Sequence, residues 1–119
     1  MVKEKYKTLI SKLIEATRTG KLTWEKTSST NEFQVKLGTN GVSISYYDPE
    51  KYGYFPGITV NIQKPSVSLV IINSEGNEID GETYEKGEIG YDKLLNLYKD
   101  ARRQCLHVDE TLDEIINSF

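Results

Sequence analysis

"EFQVKLGTNGVSISYY", residues 32–47, is the stretch on which the fold turns. Phe33, Val35 and Leu37 alternate with Glu32, Gln34 and Lys36, and Val42, Ile44 and Tyr46 alternate with Ser43 and Ser45. Successive side chains of a strand point to opposite faces, so each run has one apolar and one polar face. Between the runs stands Thr39-Asn40-Gly41, and Asn-Gly supplies two residues tolerant of the positive φ that tight hairpins need. The stretch therefore reads as a β-hairpin with one face to bury, and the flanking segments must cover that face.

Downstream, "ITVNIQ" repeats the alternation with Ile58, Val60 and Ile62, and Lys64-Pro65 ends it. "VSLVIIN" puts Val67, Leu69 and Ile71 on one side and Val70 and Ile72 on the other. Four strands joined by short connections predict an antiparallel meander. The fourth is apolar on both faces, so it lies centrally or offers its second face to a partner. "SEGNEIDGETYEKGEIG", residues 74–90, reads as a glycine-rich acidic connection.

Helices are expected on both sides of the strands. From Lys3 to Thr19, Tyr6, Leu9, Ile10, Leu13, Ile14 and Thr17 follow one helical face, and Gly20 stands where a helix closes in a left-handed turn. "KLTWE" (21–25) is a short extended segment, and "KTSSTN" a loop. A second helix covers about Tyr91 to Leu106, with Leu94, Tyr98, Ala101 and Cys105 as its stripe and Leu95 and Leu97 widening it. A third begins at Val108-Asp109; Asp109, Glu110 and Asp113 suit a positive helix start, and Leu112, Ile115, Ile116 and Phe119 form its apolar face. The expected fold is α+β, one domain over residues 1–119: an N-terminal helix, a four-stranded antiparallel meander, and two C-terminal helices packed with the first on one face of the sheet. Trp24 would close one end of that core.

The chain of 119 residues has a net charge of −3, unevenly spread. Residues 1–64 carry 10 Lys/Arg and 6 Asp/Glu, whereas residues 65–119 carry 5 and 12. An acidic second half argues against a nucleic-acid backbone as partner, which requires a concentrated basic surface. The longest apolar run, Leu69 to Ile72, is far short of the about 20 residues a membrane span needs. No cationic start with an apolar stretch and cleavage site is visible, so a cytoplasmic protein is expected.

Few residue patterns suggest chemistry. Cys105 is the only cysteine and His107 the only histidine, too few for a zinc site, and Cys105 continues an apolar helix stripe. Asn73, Glu75 and Asn77 have the alternate spacing of a calcium loop, but the glycine is misplaced and Tyr84 stands where the last acidic ligand belongs. Arg102-Arg103 is the one adjacent basic pair, and Gly87-Glu-Ile-Gly90 lacks the lysine of a phosphate loop. No catalytic residue, metal ligand or cofactor is expected.

"YYDPEKYGYFPG", residues 46–57, concentrates aromatic residues on the link between the second and third strands. Tyr46 belongs to the inward series, so Tyr47 faces out. Tyr52, Tyr54 and Phe55 lie among Asp48, Pro49, Gly53, Pro56 and Gly57, which break regular structure. The rings either close the end of the core, or form a self-association surface, or line a binding surface for another molecule.

"LIEATRTGKLTWE" (13–25) and "LYKDARRQCLHVDETLDEII" (97–116) together resemble a loose group of small bacterial or phage α+β proteins. These carry a Gly-Lys-Leu-x-Trp stretch after an N-terminal helix and finish with a terminal helix that starts at Val-Asp. The resemblance implies the fold and a bacterial or phage origin, and carries over no site residue.

These readings favour a non-enzymatic binding or regulatory protein acting through protein–protein contacts. The alternatives are a small enzyme using carboxylates such as Asp80 and Glu82, or an acidic inhibitor of a basic enzyme that mimics nucleic acid. The expected assembly is a homodimer, with a further protein partner open. Val70 and Ile72 would join Tyr47, Tyr52, Tyr54 and Phe55 in an apolar outer patch that a second copy covers. The competing arrangement folds the 74–90 segment over that patch.

Overall fold

The structure is a computed structural model and describes residues 2–49 and 64–119. In chain order the elements are α1 (Val2–Arg18), β1 (Glu25–Lys26), β2 (Glu32–Leu37), β3 (Asn40–Tyr47), β4 (Ser66–Ile72), β5 (Glu78–Glu85), α2 (Tyr91–Cys105) and α3 (Val108–Ile116). The fold is α+β, with an N-terminal helix, a five-stranded antiparallel sheet in the order β1-β2-β3-β4-β5, and two C-terminal helices.

The alternation in residues 32–47 does what its periodicity requires. Phe33, Val35, Val42 and Ile44 are buried, and Phe33 sits opposite Ile44, Val35 opposite Val42. The hairpin turn is displaced from the Asn-Gly pair. Leu37 pairs with Asn40, so Gly38 and Thr39 make the turn, with Gly38 at φ +67°. A two-residue turn with a positive φ at its first central residue matches strand twist as well as Asn-Gly would, and Asn40 and Gly41 are released into β3.

Two corrections concern the sheet. β3 pairs directly with β4, Tyr46 opposite Val67 and Ile44 opposite Leu69. The expected third strand, with Ile58, Val60 and Ile62, falls outside the described residues, and the place foreseen for it beside β3 is taken by β4. The expected acidic connection is itself partly a strand, β5, which pairs along β4 from Ser66–Glu85 to Ile72–Glu78. β4 is thus central, as its two apolar faces allow, and the 74–90 segment runs beside it without folding across it. Asn73 forms the turn into β5: its Oδ1 accepts hydrogen bonds from the backbone N–H groups of Glu75 and Asn77, both at 3.0 Å. The spacing that suggested calcium is an asparagine-capped turn.

α1 ends as its glycine predicts. Gly20, at φ +75°, donates to Thr17 O at 3.2 Å, and Lys21 donates to Ala16 O at 2.8 Å. These two bonds close the last carbonyls of the helix in a Schellman turn.

α2 is the central helix. It packs across β2, β3, β4 and β5 and against α1. Leu94, Leu97, Tyr98 and Ala101 are buried, and the ring of Tyr98 lies 5.8 Å from Phe33 and 5.5 Å from Tyr46. α1 runs parallel to α2, as Ser11 meets Lys93 (2.6 Å) and Arg18 meets Asp100 (2.9 Å). Tyr6, Ile10, Leu13, Trp24, Val67 and Leu69 complete one hydrophobic cluster. α3 departs from expectation: it packs against α2, buries none of its residues and contributes nothing to the core. Only Leu106 and His107 separate the two helices, and the left-handed backbone of His107 (φ +52°) sets the direction of α3.

Truncating a side chain enclosed on all sides leaves a cavity. Leu94→Ala should lower the unfolding free energy by about 2–5 kcal/mol. Urea denaturation with an unchanged slope would show it, and a loss below ~1 kcal/mol would mean that Leu94 is not enclosed in the core.

Candidate functional site

α3 presents the most extensive apolar surface among the described residues. Leu112, Ile115 and Ile116 recur at the spacing of one helical face, and Phe119 follows just beyond. All four are exposed, Ile116 at 66 %. Asp109, Glu110, Asp113 and Glu114 occupy the remaining surface, with no Lys or Arg in the helix. At 100° per residue, Asp109 and Asp113 border the apolar face beside Ile116, while Thr111 borders it beside Ile115. The tie to the body beyond the two-residue link is an ion pair from Arg103 Nη2 to Asp109 Oδ1, at 2.5 Å between exposed groups. Exposed pairs contribute ~1 kcal/mol or less.

A second surface lies at the other end of α1. A hollow of about 320 Å³ is lined by Lys5, Tyr6, Leu9, Ile71, Ile79 and Asp80. A bulge between Ile71 and Ile72 admits Ile79 as the extra residue of β5, and its side chain is 60 % exposed at the rim. Tyr6 Oη donates to Asp80 Oδ2 at 2.6 Å, tying α1 to β5. Burial, and then that bond and the Asp80 charge, push the Tyr6 phenol well above its ordinary range. Asp80 and Glu82 do share the helix-facing side of β5, but Asp80 is engaged by Tyr6 and Glu82 does not line the hollow. Glu82 instead interacts with Tyr84.

The cleft that holds Cys105 and His107 measures about 530 Å³, between the end of α1, residues 20–24 and the α2–α3 link. Its polar groups satisfy one another. Gln104 donates through Nε2 to Leu22 O (2.6 Å) and accepts from Trp24 N (2.7 Å). Trp24 Nε1 donates to Thr17 Oγ1 (2.9 Å), which donates to Leu13 O (2.6 Å). Arg18 and Arg103 are each engaged by a carboxylate. Burial pushes the Cys105 thiol up, only partly offset by Lys26, and a thiol held protonated is a poor nucleophile. Trp24 is packing, as its sequence context suggests. Among the described residues no group of three His, Cys, Asp or Glu side chains is arranged to hold a metal, and no helix is long and apolar enough to cross a membrane.

Three residues of the outer patch expected from the sequence lie among the described residues. Val70 and Ile72 are half-buried, and Tyr47 is 38 % exposed. Tyr47 lies opposite Ser66, six positions from Ile72 along β4, and Ser68, bonded to Thr83 at 2.7 Å, stands between. Ile72 instead lines a hollow of about 600 Å³ between the 38–41 and 73–76 turns. Tyr52, Tyr54 and Phe55 lie outside the described residues. Sequence reasoning found the apolar face of α3 but assigned it to the core. The sequence carries no signal that would have corrected this, since a two-residue link also joins helices packed antiparallel. Comparison with known protein families, curated proteins and solved structures finds no match.

The tyrosines give a pH test. Burial first, then Tyr91, raises Tyr46 to about 12, and burial first, then Glu82, raises Tyr84 to about 12, from 10.0 for each. A phenol with a raised folded-state pKa stabilises the fold fully below pH 10 and loses that contribution as pH climbs towards 12. Unfolding midpoints should therefore fall over that window, and less steeply in Tyr84→Phe. An unchanged slope in the variant would place Tyr84 in solvent.

Proposed function

We propose that this chain is a non-enzymatic binding or regulatory protein that acts through protein–protein contacts, with α3 as its contact element. The observation that carries the reading is a nine-residue helix whose large apolar side chains are all exposed. Isolated helices shorter than ~12–15 residues are marginal in water, and most helical stability in proteins comes from packing an apolar face. Within its own chain α3 touches α2 without burying these side chains, so a surface that covers Leu112, Ile115, Ile116 and Phe119 supplies the packing. Its carboxylates select a partner with basic groups beside an apolar groove. The polar cleft supports the same reading, because its arginines are paired and its thiol is held protonated.

The test separates contact from folding. The double variant Leu112→Asp, Ile116→Asp alters only exposed positions and should change unfolding free energy by about 0.5 kcal/mol or less. A photoreactive residue at Thr111 should give a discrete crosslinked species in producing cells from the parent chain and none from the double variant. Identical crosslinking in both, with the fold intact, would overturn the proposal.

A further inference from the structure

We infer that α3 docks on a second copy of this chain, its apolar face seated in the hollow formed by Lys5, Tyr6, Leu9, Ile71 and Ile79 of that copy, in a reciprocal two-fold pair. This rests on the proposed contact role of α3 and names its partner.

The two surfaces are complementary in shape and in charge. α3 is an apolar ridge and the hollow is its apolar counterpart, both uncovered among the described residues. The borders of the hollow are of opposite sign. On the α1 side Lys5, Leu9 and Lys12 follow at i, i+4 and i+7, so both lysines share the face of Leu9. On the β5 side stands Asp80, which accepts from Tyr6. The borders of α3 differ in the matching sense. Asp109 and Asp113 flank one edge, and Thr111 flanks the other, with Ser118 just past the helix end. α3 therefore fits in one orientation, its aspartates towards the α1 lysines and its hydroxyl edge towards Asp80. Pairing α3 with α3 would instead bring two sets of four carboxylates together with no cation from either helix, a repulsive arrangement.

Geometry makes the contact intermolecular. α1 and α2 run parallel, so α3 leaves from the C-terminal end of α1, whereas the hollow flanks residues 5–9. Ten residues or so of helix separate them, roughly 15 Å at 1.5 Å per residue. In this structure α3 does not turn back over that distance: its apolar residues stay exposed and none of them lines the hollow. A two-fold axis that sets two α1 helices antiparallel places each α3 over the hollow of the other copy. The contact is then made twice, which moves the buried area towards the ~1,200–2,000 Å² of stable pairs.

The experiment uses sedimentation equilibrium on the full chain at micromolar concentration. The parent chain should sediment as twice its 13.6 kDa and weaken with added salt. Ile116→Asp on the ridge and Ile79→Asp on the rim, both exposed positions, should each lower the association constant at least ~10-fold with unchanged thermal midpoints. An equimolar mixture of the two variants should recover association. One α3 and one hollow remain intact in the mixed pair, and they face each other. Mixing that recovers nothing would overturn the ridge-to-hollow contact in favour of a like-with-like patch. A parent chain that stays monomeric would also overturn it. If α3-dependent crosslinking persists in that case, the contact role stands with a different partner; if it is absent too, both readings fall.

Discussion

The burial of one stripe of α2 against both the sheet and α1 is the constraint on which the other elements depend. Leu94, Leu97, Tyr98 and Ala101 fall within about 100° of the helix circumference at 100° per residue, so a single buried stripe of α2 meets both the sheet and α1. α1 lies alongside α2 and reaches the sheet as well, at Tyr6 and Leu9, so its one apolar stripe closes the same core. Trp24 closes the end of this stack, and the chain from Thr17 through Trp24 to Gln104 holds it by hydrogen bonds that leave no buried side-chain polar atom unpartnered among the described residues. Buried polar groups are costly unless satisfied.

The sequence made this core legible wherever one face of an element is apolar and the other polar. Phe33 to Tyr46 and the stripes of α1 and α2 declared themselves by period alone. β5 did not, for a physical reason: its inward residues are Asp80, Glu82 and Tyr84, opposite Ile71, Leu69 and Val67. At the edge of the sheet those positions meet α1 only at Tyr6, and a carboxylate that accepts from a phenol is as good an inward residue there as an aliphatic one. Carboxylates along a strand edge also discourage uncontrolled strand pairing. The same residues that hid β5 from pattern reading suit it to the edge.

The hairpin turn and α3 were misplaced for a different reason, which is that local preference underdetermines geometry. Asn-Gly is a strong turn former, yet the register that buries Val35 against Val42 puts the turn at Gly38-Thr39, and packing outweighs turn chemistry worth a fraction of a kcal/mol. For α3, amphipathicity reveals that a face seeks cover but not whose surface supplies it. The candidate site was accordingly legible as residues, Leu112 to Phe119, and not as a location, which only the short link at Leu106-His107 decides.

That α3 stands outside the folded core separates two kinds of selection. Core residues such as Leu94 are under a stability threshold that most substitutions approach from the wrong side. Residues 109–119 carry no such burden, since none is buried. On the proposed contact role, substitutions there change recognition at almost no cost to folding, so recognition can diverge while the body stays fixed. Lineages that share the sheet and the first two helices are expected to differ most in their last dozen residues, and to exchange specificity when those residues are exchanged.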